Sequence, residues 1–168
     1  MPYLIDISKI DKTPHAYDSV LKDKKTGETI GTQCVALVQQ GPAVATSTNP
    51  PGTSMWRQGI HVHGAPQSSI AKGTVIATFL DGIYPTSNPR HAAVYLSHDD
   101  KCIHVIDQWV GQPIAQETRP LTFRDLPTDR PLGLQDVDNG ELYFVVEITA
   151  APVETSPVIP RQAAAAAK

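Results

Sequence analysis

The chain has 168 residues, of which 40% are hydrophobic and 18% charged, with a formal net charge of −3. That length suits one globular domain with a core rather than two, and the composition excludes a disordered chain or a charged coil. No basic run offers a footprint for nucleic acid or a membrane surface, and no apolar run reaches the roughly 20 residues that a membrane span requires.

Residues 1–10 include Asp6 and lack a basic start followed by a long apolar core, so they do not read as a secretory signal. Pro14 and the polar stretch 18–29 read as an irregular or partly helical lead-in. Gly31 breaks the chain, and residues 34–40 then carry Val35, Leu37 and Val38 before Gly41 and Pro42 stop the pattern. This predicts a short helix opened by Thr32 or Gln33. Residues 45–52 form a Ser/Thr/Asn/Pro loop, and residues 54–59, with Trp56, are read as a second short helix.

Four strand-like runs follow, at 73–79, 91–97, 102–107 and 141–148, each rich in Val, Ile, Phe or Tyr. The polar stretch 98–101 has hairpin length, so the second and third runs are expected to pair antiparallel. Residues 112–139 hold Pro113, Pro120, Pro127 and Pro131 and read as a long connection with one helical turn near 122–126. From residue 151 onward, prolines lead into an alanine run that reads as a flexible tail. The expectation is an α+β fold, helices first and antiparallel sheet after, in one domain over residues 1–150 with a tail over 151–168.

Candidate chemistry begins at Cys34. A thiol in the first turn of a helix sits by free backbone N–H groups and the positive end of the helix dipole, both of which favour thiolate. A cysteine hydrolase also needs an imidazole within reach of the thiol and a group that orients it. His91 opens the second strand-like run, and Asp107 closes the third. A plain hairpin around 98–101 sets His91 opposite Asp107, whereas a bulge would shift the register and bring Gln108 into the orienting place. Taken singly, each residue is compatible with a structural role: a buried helix thiol, a strand-edge histidine, a solvated carboxylate. Their order and spacing favour the constellation.

Cys102 lacks a helix-start setting and reads as structural. One disulfide is possible, but the two thiols are expected to be separate and too far apart to bridge. His61 and His63 share a strand face without an evident third ligand, so they suit a loop wall beside substrate better than a metal site. Gln33, Trp56, His63 and Gln108 are the candidate substrate-binding residues, with Gln33 also a candidate second oxyanion donor. Trp109 and Tyr84 fit either a cleft wall or packing. No metal or organic cofactor is required by this chemistry.

The stretch Gly31-Thr32-Gln33-Cys34-Val35-Ala36-Leu37-Val38 resembles the nucleophile helix of NlpC-like and CHAP-type papain-related peptidoglycan amidases, and His91-Ala92-Ala93-Val94-Tyr95 resembles their histidine strand. Arg90 stands where those families often carry glycine. The pairing of Cys34–Val38 with Asn88–Leu96 resembles the type VI secretion amidase effectors, the third family in particular, over about residues 15–150. That resemblance implies a papain-like fold with Cys34 as nucleophile, His91 as general base and acid, and Asp107 orienting His91. It implies an antibacterial toxin made in the cytoplasm without a signal peptide, exported by the type VI machinery, and acting in the target periplasm. There it would cut peptidoglycan peptide crosslinks, at the D-alanyl to meso-diaminopimelate bond, with a cognate immunity protein guarding the producer. The alternatives are a cysteine hydrolase of another amide or isopeptide bond, and a non-catalytic wall-binding module.

Overall fold

The computed structural model describes residues 1–17, 33–44, 52–109 and 118–148. The expected lead-in at 18–29, most of the 45–52 loop and the tail lie outside the described residues. Among those described there is one α-helix, α1 (Cys34–Gln40), and none is long and apolar enough to cross a membrane. Among the described residues the expected second helix over 54–59 is corrected: a 3-10 turn at Thr53–Met55 gives way to a strand from Trp56, and a further 3-10 turn occurs at Ile7–Lys9. Seven residues are too few for a stable isolated helix, so α1 depends on packing. Its Ala36, Leu37 and Val38 are buried against the sheet, and the Gly41 N–H donates to the Leu37 carbonyl at 2.8 Å before Pro42 ends the turn.

The sheet has six strands: β1 (Trp56–His61), β2 (Val75–Thr78), β3 (Ala92–His98), β4 (Cys102–Ile106), β5 (Arg119–Thr122) and β6 (Tyr143–Ile148). Their order is β1-β6-β2-β3-β4-β5, and every neighbouring pair is antiparallel. The four expected strands correspond to β2, β3, β4 and β6. The two edge strands were not legible. β1 is polar, and its Gly59 looks like punctuation; in the fold a Cβ there would stand 2.8 Å from the Val145 carbonyl oxygen, so glycine permits close approach to β6. β5 contains Pro120, which an edge strand tolerates because the missing N–H faces away from the ladder. The helical turn expected near 122–126 is absent, since Thr122 ends β5 and a 3-10 turn forms later, at Leu134–Asp136.

Both faces of the central strands are buried, which explains why their sequences read as unbroken apolar runs. Val75, Ala77, Ala92 and Val94 face the helix side with Leu37, Val38 and Trp56. Ile76, Ala93, Tyr95, Ile103 and Val105 fill the opposite side with Leu121 and Tyr143. The N-terminal segment ties the layers together: the Tyr3 N–H donates to Val146 O at 3.1 Å, and its Oη donates to Val38 O in α1 at 2.7 Å.

The β3–β4 hairpin sets the site. His98 pairs with Ile103 and Ser97 with His104; a bulge follows, and Tyr95 then pairs with Val105 and Val94 with Ile106. Extending this outer register puts Ala93, rather than His91, across from Asp107. The expected direct opposition is corrected by two places. Two places preserve the face, because side chains alternate with period two. Had the inner register continued without the bulge, Asp107 would point to the face opposite His91. The bulge therefore brings Asp107 beside His91 as a diagonal neighbour.

Candidate active site

Cys34 begins α1, with Gln33 as the preceding cap residue in extended conformation. His91 lies just before β3, and Thr78 holds its backbone there: the His91 N–H donates to Thr78 Oγ1 at 3.0 Å, and the Thr78 N–H donates to the His91 carbonyl at 3.0 Å. Asp107 follows β4 and is fully buried. Its Oδ2 accepts the His91 Nε2 proton at 2.6 Å, which leaves His91 Nδ1 as the ring atom available to the Cys34 thiol.

The second partner of Asp107 is Arg119, at the start of β5. Its Nε donates to Oδ1 and Oδ2 at 3.0 and 2.9 Å, its Nη2 also donates to Oδ2, and its Nη1 reaches Asp138 Oδ1 at 2.7 Å. The guanidinium lies 5.0 Å from the centroid of the Trp109 ring, a cation–π arrangement. Sequence reading missed Arg119, because it lies within the proline-rich 112–139 stretch that gave no strand signal.

The charges are coupled. Burial pushes the Cys34 thiol up, but the hydrogen bond and positive charge of His91, the Ala92 N–H and the Tyr84 hydroxyl outweigh it, so the thiol ionises below its ordinary value. Burial pulls His91 down, while its hydrogen bonds to Asp107 and Cys34 and their negative charges raise it to about 9. Burial raises the Asp107 carboxyl, and its bonds to His91 and Arg119 more than reverse this, holding it below the usual carboxylate range. The arrangement favours a thiolate–imidazolium pair backed by the Asp107 carboxylate in its ionised form.

A cleft of about 910 Å³ opens on this group. Gln33, Cys34, Tyr84, Arg90, His91, Trp109 and Arg119 line it, together with Leu134, Val137 and Asp138 from the segment before β6. Three of the four proposed substrate contacts lie outside its lining. Trp56 is 1% exposed in the helix-side core, where its ring packs edge-on against Tyr84 at 4.9 Å. Gln108 is equally buried, and its Nε2 donates to the carbonyls of Tyr17 at 2.7 Å and Gln33 at 2.9 Å, so it anchors the approach to α1 and does not orient His91. His63 stacks on Phe123 at 4.1 Å and pairs with the Glu141 carboxylate, which also lies 3.8 Å from His61 Nε2. A shared carboxylate and aromatic stacking account for the two histidines.

Among the described residues one further cluster has metal-ligand chemistry. Asp99, Cys102 and His104 bring one ligand atom each within 4.8 Å of one another. It lies at the turn end of the β3–β4 hairpin, opposite the end that carries His91 and Asp107, and takes no part in the cleft.

Residues 9–146 match the sequence model of the family described as domesticated amidase effector 2. A type VI secretion amidase effector 2 protein from Salmonella typhi is 36% identical over 121 residues, covering 68% of this chain and 84% of that protein. The solved structure of a type 6 secretion amidase effector 2 superposes with a TM-score of 0.56 at 30% identity, over 83% of this chain and 96% of that one. The α+β class with an antiparallel sheet is shared with it. The motif resemblance to type VI amidase effectors stands, with the second family in place of the third. The chain belongs to the domesticated amidase effector 2 family, among the type VI secretion amidase effectors.

Proposed function

We propose that the protein is a cysteine amidase of peptidoglycan that cuts peptide crosslinks, at the D-alanyl to meso-diaminopimelate bond, as an antibacterial effector acting in the target periplasm. The observation that carries this reading is the 2.6 Å His91–Asp107 hydrogen bond in a cleft that also holds Cys34 at the start of a helix. A thiol on a helix and an imidazole at a strand entrance are the parts that a papain-like hydrolase uses.

In this mechanism the Cys34 thiolate attacks the scissile carbonyl, and the proton held by His91 passes to the leaving amine. Asp107 keeps the imidazole in the tautomer with Nε2 protonated and stabilises its charged form. Water, activated by the now neutral His91, hydrolyses the acyl-enzyme. The Cys34 N–H, which has no acceptor within its own helix, supplies one hydrogen bond to the developing oxyanion, worth roughly 3 kcal/mol. A cognate immunity protein for the producer and passage through the type VI machinery belong to the same proposal.

The test is mass spectrometry of Gram-negative peptidoglycan after incubation with wild type and with Cys34→Ala. Loss of crosslinked dimers with wild type alone is the expected outcome, and the product masses identify the bond. Intact sacculi with both proteins would move the substrate to another amide or isopeptide.

A further inference from the structure

The cleft contains a buried hydroxyl that favours the Cys34 thiolate but to which the steps above give no contact with the reacting carbonyl. Tyr84 is 9% exposed, lines the cleft with Cys34 and His91, and its Oη makes no hydrogen bond among the described residues. It stands near enough to the Cys34 sulfur for each group to shift the other's ionisation, without forming a hydrogen bond of ordinary geometry. Buried hydroxyls without partners are uncommon because desolvation costs them free energy, so one that faces a reactive thiol invites a partner that arrives with the substrate.

The ring is held rigidly. Trp56 packs edge-on at 4.9 Å and Phe79 at 6.4 Å, so the hydroxyl is aimed before any ligand binds. Preorganisation of this kind distinguishes an oxyanion donor from a flexible surface group.

We propose that Tyr84 Oη is the second oxyanion donor, hydrogen-bonding the carbonyl oxygen of the acyl group under attack by Cys34. This rests on the cysteine-amidase reading and adds a catalytic residue to it. As the sulfur–carbon bond forms, the carbonyl π pair moves onto oxygen, and Tyr84 and the Cys34 N–H share that charge without giving up their protons. Collapse restores the carbonyl and expels the amine, which takes its proton from His91. Burial and the neighbouring Cys34 thiolate both raise the Tyr84 phenol, which keeps it protonated and a donor at neutral pH.

The experiment compares two reactions of Cys34 in the full chain, wild type against Tyr84→Phe. Acylation by p-nitrophenyl acetate passes through a tetrahedral oxyanion; alkylation by iodoacetamide uses the same thiolate and forms none. The expected result is a loss of about 10²–10³-fold in acylation, with alkylation within a few-fold of wild type. Equal losses in both reactions would make Tyr84 a thiol-positioning residue and overturn the proposal, as would unchanged acylation. Neither probe depends on the cell wall, so wild-type inactivity on peptidoglycan would count against the substrate reading alone. A wild-type Cys34 inert to both probes would overturn the donor and the cysteine chemistry together. Unchanged circular dichroism and melting of Tyr84→Phe check that the ring still packs.

Discussion

His91 and Asp107 illustrate how much a single buried contact sets at the residue scale. An imidazole in a dry pocket would ordinarily lose its proton, yet the Asp107 carboxylate and the Cys34 sulfur hold His91 at about 9 against an ordinary 6.5. Its folded value is raised, so its contribution to stability is complete below pH about 6.5 and is lost as pH rises through about 9. In the proposed mechanism the same titration removes the proton that the leaving amine needs. Amidase activity is therefore expected to fall on an alkaline limb near pH 9. Asp107→Asn removes the largest upward influence on His91 and frees the tautomer. The limb should move to lower pH and kcat should drop on the order of 10²–10⁴-fold; a pH–rate profile that keeps its alkaline limb in Asp107→Asn would refute Asp107 as the orienting group. Arg119 belongs to the same unit, because its guanidinium keeps Asp107 ionised and ties it to Asp138.

The functional groups sit at element ends, where one side chain is bonded to the backbone of another element. Gln108, just past β4, spans to the residue before α1 and to Tyr17, and its two donors satisfy carbonyls that the sheet cannot reach. Cys34 is therefore positioned from the strand side as well as by its own short helix. Gln108→Ala leaves the buried Tyr17 carbonyl without this partner, at roughly 1–3 kcal/mol, while the Gln33 carbonyl keeps the Ala36 N–H at 3.0 Å. It is expected to lower unfolding free energy by about 1–3 kcal/mol and to slow Cys34 alkylation, as measured by urea denaturation and by the alkylation rate. A normal alkylation rate in a destabilised variant would limit Gln108 to fold stability. Thr78 acts in a comparable way on His91, exchanging hydrogen bonds with its backbone beyond the end of β3.

Across the whole molecule, the β3–β4 hairpin separates the two cysteines. Cys34 packs at the His91 end, and Cys102 lies at the turn, about seven strand residues away. At about 3.3 Å per residue this is on the order of 20 Å, far beyond the ~7 Å limit on Cα separation for a disulfide. Both thiols are free in the fold. Non-reducing mass spectrometry of oxidised protein is expected to show no intramolecular disulfide; a Cys34–Cys102 bridge in active protein would contradict this geometry. Under the proposed function the separation has a corollary, because a Cys34 nucleophile that bridged to Cys102 in an oxidising periplasm would be silenced where it acts.

The helix over 34–40, the four inner strands and the identity of Cys34, His91 and Asp107 as a candidate group were legible in the sequence. Each rests on local signals: a Gly-Pro stop, runs of β-branched residues, and the position of reactive side chains at element ends. What the tertiary structure decided depends on contacts between distant segments. β1 and β5 are edge strands whose glycine and proline mimic loops until a neighbouring strand is present. The bulge between Tyr95 and Ser97, invisible in composition, determines on which face Asp107 emerges. Arg119 comes to Asp107 because β5 pairs with β4, and Tyr84 lines the cleft with Cys34 while its ring packs against Trp56 and Phe79. Trp56 and Gln108 carry side chains suited to ligand binding, and burial turned them to support instead. Local chemistry is written residue by residue, whereas register, burial and long-range pairing emerge only when the chain closes on itself.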